Sequence, residues 1–237
     1  MDNGFIFNGR HCREFGLVVE SYPTRPMPKR RRKAVTIPGR SGTLYLDEGG
    51  YEPVNLTYAC WFRGGNLPLL AQADRIAAWL LGAPERSRLS DAYDRDHYLD
   101  ATFSGPGDIQ NILGRFGRVK LTFSCDPRRF LSSGDNPVFL STPGALFHPT
   151  DFPARPVITV RGSGAGSLTV GEKTVEILRL EDEITLDCEQ MDAHRQGESR
   201  NSDIYAPEFP ELLPGGNEIA WDGGISSVEI VPRWWTL

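Results

Sequence analysis

The first half of the chain alternates apolar and polar positions in short blocks, which predicts β-strands. Such blocks occupy 5–9, 16–20, 54–62, 86–93, 97–105 and 117–125. Two further strand patterns, VTI and TLYL, flank PGRSG (38–42), whose Pro-Gly and Ser-Gly pairs favour a turn. These elements predict a barrel-like or α+β unit that ends near Pro127.

One segment of the first half has the helical period instead. Within 67–82 the apolar residues recur about every 3.6 positions, at Leu69, Leu70, Ala73, Ile76, Ala77 and Leu80. Gly82, followed by Ala83 and Pro84, is expected to end the helix. The segment has few polar positions, so we expect it to pack against a sheet as a structural helix.

The second half reads differently, because short strand patterns recur at intervals of about 8–12 residues between glycine-rich turns. This spacing predicts a β-sandwich of jelly-roll type, with 194–217 as a long connection across it. The glycine cluster RGSGAGS (161–167) leads into a strand rather than a helix, so it predicts a flexible hairpin turn and not a phosphate-binding loop. We therefore expect two domains, 1–130 and 131–237.

Charge and composition add to this division. The net charge of −5 combines 19 basic and 14 acidic residues over 1–130 with 7 basic and 17 acidic residues over 131–237. A +5 module joined to a −10 module does not resemble a single nucleic-acid-binding domain. No apolar run is long enough for a membrane span, and the N-terminus lacks the pattern of a secretory signal. The four cysteines have no CxxC spacing, which predicts buried free thiols in a reducing compartment.

A proline-rich, basic segment over 21–33 is the main candidate for an interaction. Its prolines favour an extended, mobile arm, and its basic run favours a solvated or inter-subunit loop over nucleic-acid contact. A localisation signal is an alternative. The candidate inter-subunit arm comprises Pro23, Arg25, Pro26, Lys29, Arg30, Arg31, Arg32 and Lys33.

Candidate chemistry is sparse. Asp91, Asp94, Asp96 and Asp100 lack the EF-hand pattern, and we interpret them as a solvated face or turn. The four histidines are isolated, and no serine has the setting of a nucleophile. We therefore predict no catalytic, metal-binding or cofactor-binding residues and no enzyme activity. A hydrolase that uses paired carboxylates is kept as a remote alternative.

Three tryptophans suggest a second function. Trp221, Trp234 and Trp235 would stack on sugar rings if exposed on a sandwich, and would fill the core if buried. Core packing is favoured for Trp234 and Trp235 taken singly. Because neighbouring residues of a strand face opposite ways, one of the two is expected to be exposed. The alternative function is thus a carbohydrate-binding module, in which the C-terminal β-sandwich recognises cell-wall sugar.

Ordered local patterns along nearly the whole chain resemble the distal tail protein (Dit) family of long-tailed siphophages and prophages. Each pattern is weak alone, but their order and spacing together are fairly specific. They are FIFNG (5–9), GLVV (16–19), IPGRSG (37–42), IAAWLL (76–81), YLDATF (98–103), GRVKLTFSCDPRRF (117–130), STPGALFHPTDFPARPVITVRGSG (141–164), EITLDCE (183–189), FPELLPGGNEI (209–219) and VEIVPRWW (228–235). The Lys29–Lys33 run departs from the pattern because it is unusually basic.

The resemblance implies a mainly β fold, with an N-terminal split β-barrel that carries one helix and a C-terminal galectin-like β-sandwich. It implies a homohexameric ring of N-terminal domains at the virion tail tip, assembled in the host cytoplasm. The ring would join the tail tube protein to the tail-associated hub protein and let the tape-measure protein or DNA pass. The outward C-terminal domains would serve as a platform for receptor-binding proteins. No cofactor, membrane span or sequence-specific nucleic acid is implied.

Overall fold

The chain forms two compact units, which are Met1–Arg129 together with Leu237, and Phe130–Thr236. The computed structural model describes residues 3–21, 23–63, 68–106, 110–112 and 116–237. The first unit contains helix α1 (Leu69–Leu81) and strands β1 (Phe5–Phe7), β2 (Arg10–His11), β3 (Leu17–Val19), β4 (Arg30–Val35), β5 (Leu44–Tyr51), β6 (Val54–Arg63), β7 (Ser87–Asp91), β8 (Asp94–Pro106), β9 (Gln110–Ile112) and β10 (Phe116–Leu131). The last two residues of β10 belong to the second unit.

A curled half-barrel sheet forms the body of the first unit. Its strands follow the order β2-β1-β7-β8-β10-β6-β3, with β9 beside β10. Strands β6 and β10 pair in antiparallel register from Val54↔Cys125 to Arg63↔Phe116. Alternate residues of both strands are buried on one side of the sheet, namely Leu56, Tyr58, Cys60, Phe62, Val119, Leu121, Phe123 and Cys125. The alternation in the sequence therefore corresponds to one buried and one solvated face.

Helix α1 covers this sheet, which confirms the predicted helix over 67–82. The predicted buried face was wrong at Leu70, which is 75% exposed, and at Ala77. Trp79 anchors the face instead. Its ring stacks on Phe15 with 4.2 Å between centroids, and its Nε1–H donates to the Phe7 carbonyl oxygen at 3.2 Å. The indole thus has both a packing partner and a hydrogen-bond acceptor, as a buried tryptophan requires.

The second unit is a β-sandwich, and the mainly β, split-barrel and galectin-like fold class is confirmed. Its strands are β11 (Val138–Leu140), β12 (Gly144–His148), β13 (Val157–Val170), β14 (Lys173–Asp187), β15 (Asp192–Arg195), β16 (Glu198–Ser199), β17 (Ile204–Tyr205), β18 (Gly215–Trp221), β19 (Ile225–Val231) and β20 (Trp235–Thr236). One layer follows the order β11-β19-β13-β14-β15-β16. In the other layer, β12 pairs with β18, and β18 pairs with the C-terminal end of β13 (168–170). Strand β17 pairs with the N-terminal part of β14.

Strand β13 contributes to both layers, and this overturns the predicted hairpin turn over 161–167. The glycine cluster lies inside β13, where the register shifts next to Gly162 and again between Gly164 and Gly166. A Cβ at Gly162 would lie 2.0 Å from the Gly224 carbonyl oxygen. The turn between β18 and β19 therefore lies so close to Gly162 that no side chain fits there. The glycines therefore let one strand bend between two layers.

Two other expectations need correction. The stretch 194–217, predicted as a plain connection, contains the end of β15, β16, a 3-10 helix (Asn201–Asp203), β17 and the start of β18. Leu212 of the same stretch forms an isolated bridge with Ala154. Short paired pieces of two to four residues fall below what a periodic sequence pattern can indicate. No helix within the described residues is long and apolar enough to cross a membrane.

Candidate functional site

The basic run was predicted to form a loop, but most of it forms a strand. Four of its residues, Arg30 to Lys33, belong to β4, and Lys29 immediately precedes that strand. Within the described residues, β4 pairs only with β5, in a two-stranded antiparallel sheet. Opposite residues share a face, so Lys33 and Leu46 lie on one face and Ala34 and Tyr45 on the other. Nearly every residue of this hairpin is exposed, including the aliphatic side chain of Leu44. We call β4, β5 and their turn the basic hairpin.

A wide bulge shapes the base of the basic hairpin. Arg30 pairs with Tyr51, yet Arg32 pairs with Asp47, so three residues of β5 face a single residue of β4. Two of the three are Gly49 and Gly50, with φ of 75° and 71°. Glycine adopts this left-handed conformation without steric cost, which explains the GG pair in DEGGY.

The bulge also fixes one arginine. The Arg30 guanidinium lies 3.2 Å from the Asp47 carboxylate and 5.6 Å from the Tyr51 ring centroid. A hydrogen bond from the Gly49 amide, together with Arg30, lowers the pKa of Asp47. Arg31 and Lys33 have no ion pair within the described part of the chain. The hairpin thus presents unpaired positive charge beside exposed Leu44, Tyr45 and Leu46.

The segment 23–29, which leads into the hairpin, has no regular secondary structure and is held at two points. Arg25 was expected to reach a neighbouring subunit. Its guanidinium instead lies 3.1 Å from Asp91 and 2.6 Å from Asp94 of its own chain. Further along, the Lys29 carbonyl oxygen accepts a 2.8 Å hydrogen bond from the Glu52 amide. Met27 and most of the basic hairpin stay exposed.

The partners of Arg25 form a charged cluster that sequence reasoning missed. Asp91 is buried and accepts a 2.7 Å hydrogen bond from the Tyr58 hydroxyl. Asp94 lies 2.6 Å from His97 Nδ1 and 3.0 Å from Arg129. The prediction was a solvated face or a turn: a turn does lie at residues 92–93, but Asp91 is buried and Asp94 is half-buried, so neither lies on a solvated face. No local pattern connects Arg25 with Asp91, because 66 positions separate them.

Two groups of the cluster, Asp94 and Tyr58, have shifted pKa values. Burial by itself would raise the pKa of Asp94, but His97 and Arg25 outweigh it and hold that pKa below its usual range. Burial and the charge of Asp91 raise the pKa of Tyr58, so the phenol stays protonated and donates. A buried carboxylate that accepts several hydrogen bonds and pairs with a guanidinium fixes geometry. We interpret the cluster as an anchor for the arm.

A cavity of about 380 Å³ lies beside this anchor, between the arm (25–28) and the sheet. Its walls are mainly apolar, from residues such as Val54, Leu56 and Leu99. The guanidinium groups of Arg25 and Arg129 line it but are already paired with Asp94. Within the described residues, no group of three or more His, Cys, Asp or Glu side chains is placed to hold a metal. The walls of the cavity therefore offer mainly apolar contact surface.

The three candidate sugar-stacking tryptophans all pack against other residues of the second unit. Trp234 is 5% exposed and packs on His148, so its ring has no free face. Trp235 is half-buried, stacks on Phe152 at 4.7 Å and donates from Nε1 to the Pro153 carbonyl oxygen. Trp221 is half-buried against the core. The role of Trp221 and Trp235 in sugar binding stays a prediction, and the burial of Trp234 argues against one there.

Two-unit architecture of this kind, a half-barrel with one helix followed by a galectin-like sandwich, defines the fold. Among solved structures it is similar to the crystal structure of the SPP1 Dit protein (gp 19.1), with a TM-score of 0.75 and 12% sequence identity over 100% of both chains. That protein is described as a paradigm of the hub adsorption apparatus in phages that infect Gram-positive bacteria. No family model matches the sequence, and no curated protein matches it.

Proposed function

We propose that this chain is a structural protein of a phage or prophage tail tip, without catalytic activity of its own. The observation that carries the proposal is the similarity to the SPP1 Dit protein over the whole of both chains. A sandwich alone would say little, because that architecture serves many functions. A half-barrel with one helix joined in the same order to a galectin-like sandwich is a far more specific combination.

The finer proposal is a homohexameric ring of first units that joins the tail tube protein to the tail-associated hub protein. A channel through the ring would pass the tape-measure protein or DNA, and the second units would hold receptor-binding proteins. Rings need heterologous interfaces, in which one surface of a subunit meets a different surface of its neighbour. The basic hairpin supports this, since an isolated two-stranded hairpin is marginally stable in water and gains from being covered.

The proposed place of action is the virion tail tip, after synthesis and assembly in the host cytoplasm. All four cysteines are free and buried, as predicted. Unpaired thiols are usual for proteins that fold in a reducing compartment.

The oligomeric state tests the ring. We expect the purified chain to give six times 26.4 kDa by light scattering, and a six-fold ring in negative-stain images. A subunit concentration well above the dissociation constant is needed for the ring to be populated. A chain that stays monomeric even with its tail-tube and hub proteins added would contradict the ring.

The basic hairpin can be tested separately by charge reversal. Deletion of 22–33 would also remove Arg25 from its anchor, so the double variant Arg31→Glu, Lys33→Glu is the sharper change. We propose that the basic hairpin meets an acidic surface of the neighbouring subunit. We therefore expect the dissociation constant of the oligomer to rise about tenfold or more, because the reversed charges would repel that surface. Lys120→Glu, at an exposed position of β10, is the matched control. An oligomer of unchanged affinity in the double variant would exclude the hairpin from the interface and leave the ring itself open to the mass measurement.

A further inference from the structure

The longest uncharged stretch of the sequence lies in its most acidic half. Fifteen residues without Asp, Glu, Lys or Arg separate Asp135 from Asp151. They contain two consecutive strands, β11 and β12. Residues 131–237 otherwise carry 17 acidic and 7 basic side chains. A neutral strip on an acidic unit differs from its surroundings in the property that governs protein association at long range.

Strand β12 is an edge strand. It pairs with β18 over five residues, from Gly144↔Ile219 to His148↔Gly215, and with no other described strand. On its other side it makes no main-chain hydrogen bond to the described part of the chain. The N–H and C=O groups on that side are therefore available as a template for another strand.

Proteins usually protect such edges by making them short, charged, interrupted by proline or bulged. Other edge strands of the second unit follow this rule, because β11 has three residues and β16 and β17 have two each. Strand β12 has five residues, GALFH, with no charged residue, no internal proline and no shift of register. Pro143 and Pro149 lie just outside it. Among these edge strands of the second unit, β12 is thus the one that none of the protective features covers.

The side chains of β12 are arranged for a neighbour. Leu146 and His148 point inward, whereas Ala145 and Phe147 point outward, and Phe147 is 71% exposed. Its cross-strand neighbour is Gly216, and a Cβ placed there would meet nothing within 4 Å. Cross-strand pairs of side chains stabilise sheets, but Phe147 has no such partner on β18, because glycine has no side chain. A residue from an added strand could cover the ring.

We propose that β12 receives an extended strand of another protein by β-addition, with an apolar side chain of that strand on Phe147. The main-chain groups select a strand over a helix or a small molecule. The partner strand has neutral or basic flanks, because the surrounding unit carries a charge of −10. The same charge opposes a second copy of this chain, whose unit would be equally acidic. This site goes beyond the ring and does not depend on it.

The test uses the full chain and a fluorescein-labelled peptide of nine residues, with alternating threonine and valine and a lysine at each end. We expect saturable binding by fluorescence anisotropy and slower amide hydrogen exchange within 144–148. The double variant Ala145→Lys, Phe147→Lys should weaken binding about tenfold or more, since charges on an edge strand oppose strand addition. Leu178→Lys is the matched control, because Leu178 is also exposed but lies on the interior strand β14.

Each result decides the proposal. Binding that the edge variant loses and the control variant keeps, with protection at 144–148, supports it. A peptide with glutamate in place of its lysines should bind more weakly, since it meets an acidic unit. No binding at about 1 mM peptide, equal binding to the edge variant, or protection elsewhere would overturn it. Self-association of the chain that the edge variant abolishes would assign β12 to a second copy and overturn the proposed partner.

Discussion

Two buried polar side chains, Asp91 in the first unit and His148 in the second, show how single residues hold this fold. Asp91 accepts hydrogen bonds from the Tyr58 hydroxyl and from the amides of Tyr93 and Asp94, and pairs with Arg25. Three hydrogen-bond donors and one guanidinium therefore surround the buried Asp91 carboxylate. Each of the two residues leads to a prediction about stability.

Loss of the Asp91 charge should destabilise the first unit. We expect Asp91→Asn to lower the free energy of unfolding by about 3 kcal/mol, because breaking a buried ion pair leaves the other charge uncompensated. The expectation is moderated by Arg25, whose side chain is 32% exposed. Arg10→Gln is the control, since the Arg10–Glu14 pair is exposed and should contribute under about 1 kcal/mol. Hydrogen exchange of the β7 amides measures both variants, and equal effects would refute the anchor.

His148 should make the second unit sensitive to acid. It is 1% exposed, and its Nδ1 accepts from the Thr150 amide at 3.1 Å. Burial lowers its pKa below 6.5, so the unfolded chain binds the proton more tightly than the folded one. Stability is full above about pH 6.5 and falls as the pH drops below it.

Thermal unfolding between pH 8 and pH 5 measures this effect. His148→Asn keeps an oxygen near the Nδ1 position and does not titrate, so its melting temperature should fall less over that range. Its stability at pH 8 is expected to be lower than that of the native chain, because a smaller side chain leaves space beside Trp234. A parallel pH dependence in both proteins would show that other groups are responsible.

At the scale of elements, the bend of β13 depends on close contact between main chains. A Cβ at Gly162 would overlap the Gly224 carbonyl oxygen, whereas a Cβ at Gly164 would meet nothing within 4 Å. Both glycines have positive φ, 153° and 97°, so alanine is strained at either position. Only Gly162 adds a steric overlap to that strain.

Gly162→Ala and Gly164→Ala therefore form a matched pair. We expect the first to lower the free energy of unfolding by about 3 kcal/mol or more, and the second by about 1 kcal/mol. Urea denaturation followed by circular dichroism compares the two. Similar losses would mean that the connection over Gly224 moves aside without cost, and that the overlap does not maintain the bend.

At the scale of the whole molecule, each unit has its own apolar core, and the four thiols are divided between them. Cys12, Cys60 and Cys125 lie in the first core and Cys188 in the second. Burial raises the pKa of Cys60, Cys125 and Cys188 to about 12. A thiol in this state is neutral at neutral pH and a poor nucleophile.

The native chain should therefore expose no reactive thiol. We expect Ellman's reagent to label none of the four cysteines within minutes at pH 8, and all four in about 6 M urea, where burial is lost. Rapid labelling of any native cysteine, located by mass spectrometry, would contradict the burial of that residue. The result covers both cores in one measurement.

Much of the fold was predictable because the dominant signals are local. The alternation in 54–62 and 117–125 identified the two central strands, and the 3.6-residue period over 67–82 identified the helix. The helix face was partly wrong, since the choice between Leu70 and Trp79 depends on the aromatic rings of β1 that face it. The prediction of a hairpin turn at the glycine cluster was wrong. Glycines occur both in turns and inside strands where another main chain approaches closely, and the sequence pattern does not distinguish the two.

The sequence by itself determined the mainly β composition, the single helix, the buried cysteines and the separation of a basic half from an acidic half. These follow from periodicity, burial preference and charge, which act within a few residues of chain. Only the tertiary structure decided that Arg25 binds Asp91, that the basic run becomes an exposed strand, and that β12 has an open edge. Such facts depend on which distant segments become neighbours, and that is set by the packing of the whole unit.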